Sequence, residues 1–139
     1  MRKPQLRAAL LALVLTVGTA LPAAAFSDVT DDAWYASAVA EVSDAGIMNG
    51  TTDTTFSPDE QVTRGMVVTV LWRLAGSPAP TAASGFSDVE DWYYYADAVA
   101  WAQETGVAAG LGDGTFGGGN IVTREQLSVI LYSYTRFKG

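Results

Sequence analysis

The sequence predicts an all-α protein made of two tandem helix–loop–helix repeats. The stretch that begins at residue 26 recurs from residue 86 at a constant offset of sixty residues, with no gap. Within each copy, apolar residues return every three or four positions, which is typical of amphipathic helices. Gly- and Pro-containing stretches lie between these helices and indicate turns. Repeats of this size bury their apolar stripes by stacking on one another.

The two copies match in their polar and glycine positions as well as in their apolar ones. Two unrelated helical segments would not keep glycine, aspartate and arginine in register over this length. The matched positions are Phe26-Ser27-Asp28-Val29 with Phe86-Ser87-Asp88-Val89, Tyr35-Ala36 with Tyr95-Ala96, Gly46 and Gly50 with Gly106 and Gly110, Asp53, Thr55 and Phe56 with Asp113, Thr115 and Phe116, and Val62-Thr63-Arg64 with Val122-Thr123-Arg124.

The N-terminal 25 residues predict an export signal that is removed from the mature chain. Arg2, Lys3 and Arg7 form a basic start, 8–17 is an uncharged and mostly apolar run, and Ala23-Ala24-Ala25 supplies the small residues of a cleavage site. An uncleaved signal anchor is the alternative, but the apolar run is short for a bilayer span of about 20 residues. We therefore expect a secreted chain that starts at Phe26.

Copy one (26–76) and copy two (86–139) are joined by a predicted linker, 77–85. In copy one the first helix is expected to follow an aspartate cap at Asp31-Asp32 and to end at Gly46. Its second helix is expected to begin at Thr63. The corresponding cap positions of copy two are Asp91 for the first helix and Thr123 for the second, where Gln126 completes a capping box.

Composition excludes several functional classes. The chain has no Cys and no His, so disulfides, thiolate sites and the commonest zinc ligand are absent, and no cofactor or metal is predicted. Removing the three basic residues of the signal leaves five basic residues against fifteen acidic ones, a formal charge of −10. Such a charge argues against nucleic acid as a partner and against docking on an anionic membrane after signal cleavage.

The acidic pairs do not predict an enzyme. Asp31-Asp32 and Glu90-Asp91 could act as acid and base, but a catalytic pair forms a single site, whereas these pairs recur at equivalent places in the two copies. The run Asp28-Val29-Thr30-Asp31-Asp32 also lacks the alternation of a calcium loop.

Taken together, these motifs resemble the S-layer homology (SLH) repeat. Copy one shows the whole pattern: Phe26-Ser27-Asp28-Val29, Trp34-Tyr35-Ala36, Gly46-Ile47-Met48-Asn49-Gly50, Asp53-Thr54-Thr55-Phe56-Ser57-Pro58 and Val62-Thr63-Arg64. Two departures stand out. The residues after Thr-Arg, usually Ala-Glu, are Gly65-Met66 and Glu125-Gln126, and the counterpart of Pro58 is Gly118 within a run of three glycines.

The resemblance implies that the repeats form part of a pseudo-threefold bundle, with grooves that hold secondary cell-wall polysaccharide. That polysaccharide is expected to be acidic, often pyruvylated, and to meet the arginine of each Thr-Arg motif. The implied polysaccharide-binding positions are Arg64, Arg124, Trp34, Tyr94, Trp92, Asp53, Asp113 and Gly114. For the arginines the alternative is an ion pair with Asp28 or Asp88, and for any single aromatic residue it is core packing.

The chemistry of the residues agrees with a carbohydrate site. Sugar rings stack on flat apolar surfaces, and an arginine fork matches a carboxylate. We therefore expect a non-catalytic protein of the cell wall or cell surface that anchors non-covalently to polysaccharide. The alternative is an assembly module that packs on other SLH repeats without binding glycan. Two repeats are also expected to leave one face open, which favours self-association or a third repeat from another chain.

Overall fold

The computed structural model describes residues 26–139, which form four α-helices and contain no β-strand. The helices are α1 (Ala36–Asp44), α2 (Arg64–Leu74), α3 (Ala96–Thr105) and α4 (Arg124–Lys138). They fall two to a copy, which confirms the all-α helix–loop–helix prediction. None of them is long and apolar enough to cross a bilayer. The predicted export signal, 1–25, lies outside the described residues.

The second helix of each copy begins where the sequence places it. Thr63 and Thr123 are the N-cap residues, and each hydroxyl accepts a hydrogen bond from the backbone N–H three residues on, at 3.3 Å. The capping box is complete only in copy two, where the Gln126 side chain accepts from the Thr123 N–H. Each cap satisfies a backbone donor that the helix itself leaves free.

The aspartate caps predicted for the first helices are wrong. The N-cap residue is Tyr35 in α1 and Tyr95 in α3, and neither tyrosine makes a side-chain capping hydrogen bond. In copy one, turns closed by the Ala33 N–H on the Thr30 carbonyl and the Ala36 N–H on the Ala33 carbonyl separate Asp31-Asp32 from the helix. The acidic pair therefore lies in a turn upstream of α1.

An aspartate near the start of each copy holds the distant loop of the same copy. The two carboxylate oxygens of Asp28 accept hydrogen bonds from the N–H groups of Phe56 and Ser57, at 2.8 and 2.7 Å. Asp88 repeats this arrangement with Phe116 and Gly117. These bonds lower the pKa of Asp28, mainly through the Phe56 N–H. The aspartate of the Phe-Ser-Asp-Val motif thus has the same structural role in both copies.

The core lies where α2 of copy one packs against α3 of copy two. Val68, Val99 and Phe116 are completely buried there. Copy one contributes little from its own first helix, in which only Val39 is buried. The apolar interior of the protein is therefore mainly the contact between the two copies.

Main-chain hydrogen bonds join the start of α2 to the copy-two loop at 117–122, and we call this contact the junction. The Arg64 N–H donates to the Asn120 carbonyl at 2.9 Å, the Gly65 N–H to the Gly118 carbonyl at 2.8 Å, and the Val122 N–H to the Val62 carbonyl at 3.1 Å. An isolated antiparallel bridge pairs residues 63 and 121. The junction uses donors that the first turn of a helix cannot satisfy internally.

The predicted linker is attached to α3. One carboxylate oxygen of Glu104 accepts from the Thr81 N–H, the Thr81 hydroxyl and the Ala82 N–H, at 2.7, 2.6 and 3.1 Å. These bonds, led by the Thr81 hydroxyl, lower the pKa of Glu104. The Gln103 side chain also accepts from the Gly85 N–H at 3.1 Å, and the Trp72 indole donates to the Pro78 carbonyl at 2.8 Å, so several side chains hold the linker.

Candidate functional site: a groove bordered by Arg64

A groove of about 570 Å³ lies in copy two, between α4 and the segment that follows α3. Its walls are mostly apolar, and Glu125, Gln126 and Ser133 add polar groups from α4. Copy one contributes one residue, Arg64. The lining residues are Arg64, Gly106 to Leu111, Glu125, Gln126, Val129, Ile130 and Ser133.

Arg64 is held in place by copy two. Its Nε donates to the Phe116 carbonyl at 3.0 Å and its Nη2 to the Ala109 carbonyl at 2.8 Å. The guanidinium carbon also lies 4.8 Å from the centre of the Phe116 ring, which is within the range of a cation–π contact. The side chain is consequently fixed at the groove, and the residue is only 5% exposed.

The environment of Arg64 is unusual for a cation. Burial lowers the pKa of its guanidinium, although arginine stays charged in proteins. Its hydrogen bonds go to neutral main-chain carbonyls, and the alternative partners Asp28 and Asp88 use their carboxylates on loop N–H groups instead. The protein groups bound to Arg64 thus leave its positive charge without a paired anion.

The second predicted arginine, Arg124, has a different setting. It occupies the first turn of α4, as Arg64 does in α2, but its side chain is exposed. Arg124 does not line the groove. The same motif therefore gives one buried and one solvent-facing cation.

The predicted aromatic residues lie on the surface. Trp34 is 93% exposed and Trp92 is 78% exposed, and Tyr94 is also exposed. Each contacts a neighbouring tyrosine edge-on, with ring centres between 4.3 and 5.4 Å apart. Core packing, the alternative for these residues, is therefore excluded, but none of the three is among the residues that line the groove.

The predicted loop residues are also exposed. One oxygen of Asp113 accepts from the Thr115 N–H and hydroxyl, at 3.0 and 2.6 Å, and these bonds, led by the hydroxyl, lower the pKa of Asp113. Gly114 has a positive φ of 88° and its carbonyl accepts from the Ser87 N–H at 3.0 Å. In copy one the turn at Asp53 is closed by the Thr52 hydroxyl instead. In copy two, these loop groups have evident structural roles.

Two residues near the site, Phe116 and Tyr95, were missed by sequence reasoning. The Phe116 ring packs under the Arg64 guanidinium, and the Tyr95 ring lies against Gly65 and Gly118. A Cβ atom on Gly65 would lie 2.7 Å from the Tyr95 ring, and one on Gly118 would lie 2.6 Å from it. A signal was present in the sequence, because Gly65 and Gly118 both lie within the stretches that depart from the repeat pattern.

No group of three or more metal-ligating side chains is found in the part of the chain that the structure describes. The groove lining combines one cation, Arg64, and one carboxylate, Glu125, with a mostly apolar wall.

Comparison with known proteins identifies the repeat. The S-layer homology domain model matches residues 25–65 and 85–128. A "Cell surface protein" of Thermoanaerobacter kivui is 38% identical over 96 residues, which cover 66% of this chain and 13% of that protein. An "Endoglucanase" of Bacillus sp. (strain KSM-635) is 32% identical over 105 residues, 76% of this chain and 11% of that protein. A "Cell surface glycoprotein 1" of Acetivibrio thermocellus is 31% identical over 96 residues, 66% of this chain and 4% of that protein.

The matched segment is thus a small part of each of these relatives. The family model itself covers more than half of the present chain, in two blocks that carry the Phe-Ser-Asp-Val and Thr-Arg motifs. The tandem motifs, the paired helices of each copy and this match together show that the chain belongs to the S-layer homology family.

Proposed function

We propose that this chain attaches non-covalently to the bacterial cell wall by binding an acidic secondary cell-wall polysaccharide in the groove bordered by Arg64. Membership of the SLH family supports the general part, a cell-surface or cell-wall protein that acts in anchoring. The proposal takes 1–25 as a cleaved signal and 26–76 and 86–139 as the repeats, joined by 77–85. N-terminal sequencing of exported protein should begin at Phe26.

The observation that carries the proposal is the charge of Arg64, which has no paired anion within residues 26–139. A buried cation is costly unless an anion or several hydrogen bonds compensate it, and here two carbonyls and an aromatic ring provide only partial compensation. A ligand carboxylate at the groove would supply the missing negative charge. The guanidinium is already fixed by Phe116 and Ala109, so binding costs little side-chain entropy.

The groove walls suit a sugar. Ala108, Val129 and Ile130 offer apolar contact for the face of a ring, and Gln126 offers an amide for its hydroxyl groups. A volume of about 570 Å³ falls within the usual range for small-ligand sites. We therefore assign the acidic sugar of the polysaccharide to this groove, with its carboxylate directed at Arg64.

The other predicted residues extend the proposal to the surface. Trp34, Trp92 and Tyr94 are exposed aromatic rings on which further sugars of a long chain can stack. In this proposal Arg124, Asp53, Asp113 and Gly114 contribute polar contacts outside the groove. Single alanine variants of Arg124, Asp53 and Asp113 should each weaken binding to purified cell walls.

Co-sedimentation with purified cell walls tests the proposal. The probe is intact wall that carries a pyruvylated acidic polysaccharide, compared with the same wall stripped by hydrofluoric acid. The wild-type chain should pellet with intact wall but not with stripped wall, and the soluble polysaccharide should release it. Binding that is equal on stripped wall would contradict the proposal.

Two variants test the groove. Arg64→Lys keeps the charge but loses the fork, and Ser133→Glu places a carboxylate where the anionic sugar should lie. Each should weaken binding about tenfold or more, since a hydrogen bond to a charged group contributes roughly 1.5–3 kcal/mol. Ser37→Glu, an exposed change outside the groove, is the matched control. If both groove variants bind like the control, the groove is not the site.

The alternative role, assembly on other SLH repeats without glycan, is favoured by one observation. Leu131 and Tyr132 of α4 are large apolar residues that remain exposed. In that role, protein retained on the cell surface would not be released by soluble wall polysaccharide, and the two roles are thereby distinguished.

A further inference from the structure

Equivalent faces of α2 and α4 have opposite exposure. In α2 the face formed by Arg64, Val68 and Leu71 is buried against copy two. Sixty residues on, Arg124, Ser128 and Leu131 form the same face of α4, together with Tyr132, and all four are exposed. The open face of α4 is therefore the counterpart of a surface that elsewhere in this chain lies inside the core.

The helix that receives α2 also has an exposed counterpart. On α3, Ala98, Val99 and Ala102 are completely buried. On α1 the matching positions are Ala38, which is exposed, Val42, which is partly exposed, and Val39, which is buried at 7% exposure. One end of the molecule thus presents an α2-like surface and the other end presents an α3-like surface.

The hydrogen-bonding groups of the junction are duplicated at these ends as well. The counterparts of its donors are the N–H groups of Arg124 and Glu125, and the counterparts of its acceptors are the carbonyls of Glu60 and Pro58. Among residues 26–139, none of these four groups has a hydrogen-bond partner. For these two bonds, the α4 end offers the donors and the other end offers the acceptors.

The side chain of Arg124 has a matching receptor. Arg64 binds the carbonyls of Ala109 and Phe116, and the corresponding carbonyls of copy one belong to Asn49 and Phe56. Within 26–139 these two carbonyls accept no hydrogen bond. A copy-one loop from another molecule could therefore receive Arg124 as the copy-two loop receives Arg64.

We infer that two copies of this chain associate head to tail, with the open face of α4 of one copy packed on α1 and the 57–62 loop of the other. Because the two surfaces differ, the contact is heterologous and each end of the pair keeps one unused face. The internal junction serves as the template, and a second copy supplies both of the surfaces that it requires.

The contact between copies is looser than the internal junction. Gly65 and Gly118 allow close approach around Tyr95, whereas their counterparts are Glu125 and Pro58, which carry Cβ atoms. The helix start must therefore stand farther from the loop at this point. Association should accordingly depend on concentration, while the internal junction persists in the monomer.

Sedimentation velocity of the exported chain over a concentration series tests this inference. The mass of the wild type should rise with concentration. Leu131→Asp blocks the α4 end, and Ala38→Arg blocks the α1 end, so each variant alone should remain monomeric. An equimolar mixture of the two should form a heterodimer, because each variant keeps one intact end. Ser128→Glu provides a second α4-end block at an exposed position.

Matched controls isolate the faces. Leu74→Asp changes a leucine that is 46% exposed, compared with 45% for Leu131, and Ser37→Arg adds the same charge beside Ala38. Both controls should associate like the wild type. A wild type that stays monomeric, a mixture that stays monomeric, or self-association of Ala38→Arg alone would each overturn the inference. No polysaccharide is present, so failure here is distinct from failure of wall binding.

Discussion

The Gly65 N–H donates a hydrogen bond to the Gly118 carbonyl at 2.8 Å, and the Tyr95 ring packs against both glycines. Both glycines lie within the stretches at which the chain departs from the repeat pattern. In the sequence, each glycine by itself indicates only that a side chain is missing at that position. In the structure they form one contact, in which the missing Cβ atoms let α2 approach the copy-two loop. Gly65 in copy one and Gly118 in copy two therefore make the same close contact possible from its two sides.

Gly65→Ala should destabilise the protein although alanine favours helix. The added Cβ would lie 2.7 Å from the Tyr95 ring and 3.0 Å from the Gly118 carbonyl. Overpacking costs about 1–3 kcal/mol, against a gain of about 1 kcal/mol in helix propensity, so a net loss of the order of 1 kcal/mol is expected. Urea unfolding measures the free energy. Gly119→Ala is the control, because no neighbouring atom would lie within 4 Å of its added Cβ, and it should change the free energy of unfolding little.

Phe116→Ala should cost far more stability than Phe56→Ala. Phe116 is completely buried and supports Arg64, whereas Phe56 is partly exposed. Truncating a buried phenylalanine costs about 3–5 kcal/mol, a large share of the stability of a small protein. Thermal unfolding followed by circular dichroism measures both variants. Equal losses would show that the two copies share the core evenly, contrary to the structure.

Acid should weaken the protein partly through Asp28. Hydrogen bonds from Phe56 and Ser57 lower the folded-state pKa of Asp28 below its ordinary value of 3.8. A depressed carboxylate stabilises the fold above the ordinary pKa, and this contribution is lost as the pH falls through the folded-state pKa. Urea unfolding between pH 7 and pH 2 should show a smaller acid loss for Asp28→Asn than for the wild type. Thr54→Ala, in the exposed loop of the same copy, changes no ionisable group and should keep the wild-type profile.

Glu104→Ala should release the linker without unfolding the core. The lost carboxylate oxygen accepts three hydrogen bonds from Thr81 and Ala82, all at exposed positions. Limited proteolysis should then cut within 77–85 faster than in the wild type, because local opening governs cleavage of such segments. The helical circular dichroism signal should be unchanged. Glu60→Ala is the control. If this variant were also cut faster within 77–85, the result would contradict a specific role for Glu104.

Much of the fold was predictable because its signals are local. Threonine followed by a helix, with Gln126 three residues on, specifies the start of α4 through backbone donors within one turn. The aspartate caps of the first helices were mispredicted for a related reason. Asp31-Asp32 has suitable chemistry for a cap, but it lies inside one turn, and a second turn that includes Tyr35 comes between it and α1.

The candidate site was only partly predictable. Arg64 was singled out by its motif, but its ring support and its carbonyl acceptors come from residues 45 and 52 positions away. No local pattern links such partners. The exposed settings of Trp34 and Trp92 likewise depend on where neighbouring segments pack, which residue type alone does not reveal.

The amino-acid sequence alone determined the tandem repeat, the helical class and the positions of the two Thr-Arg motifs, since each depends on residues close together in the chain. Only the tertiary structure decided that Arg64 is buried at a groove while Arg124 faces solvent. The physical reason is that burial depends on a neighbour: α2 meets copy two, whereas the corresponding face of α4 meets no further repeat within residues 26–139.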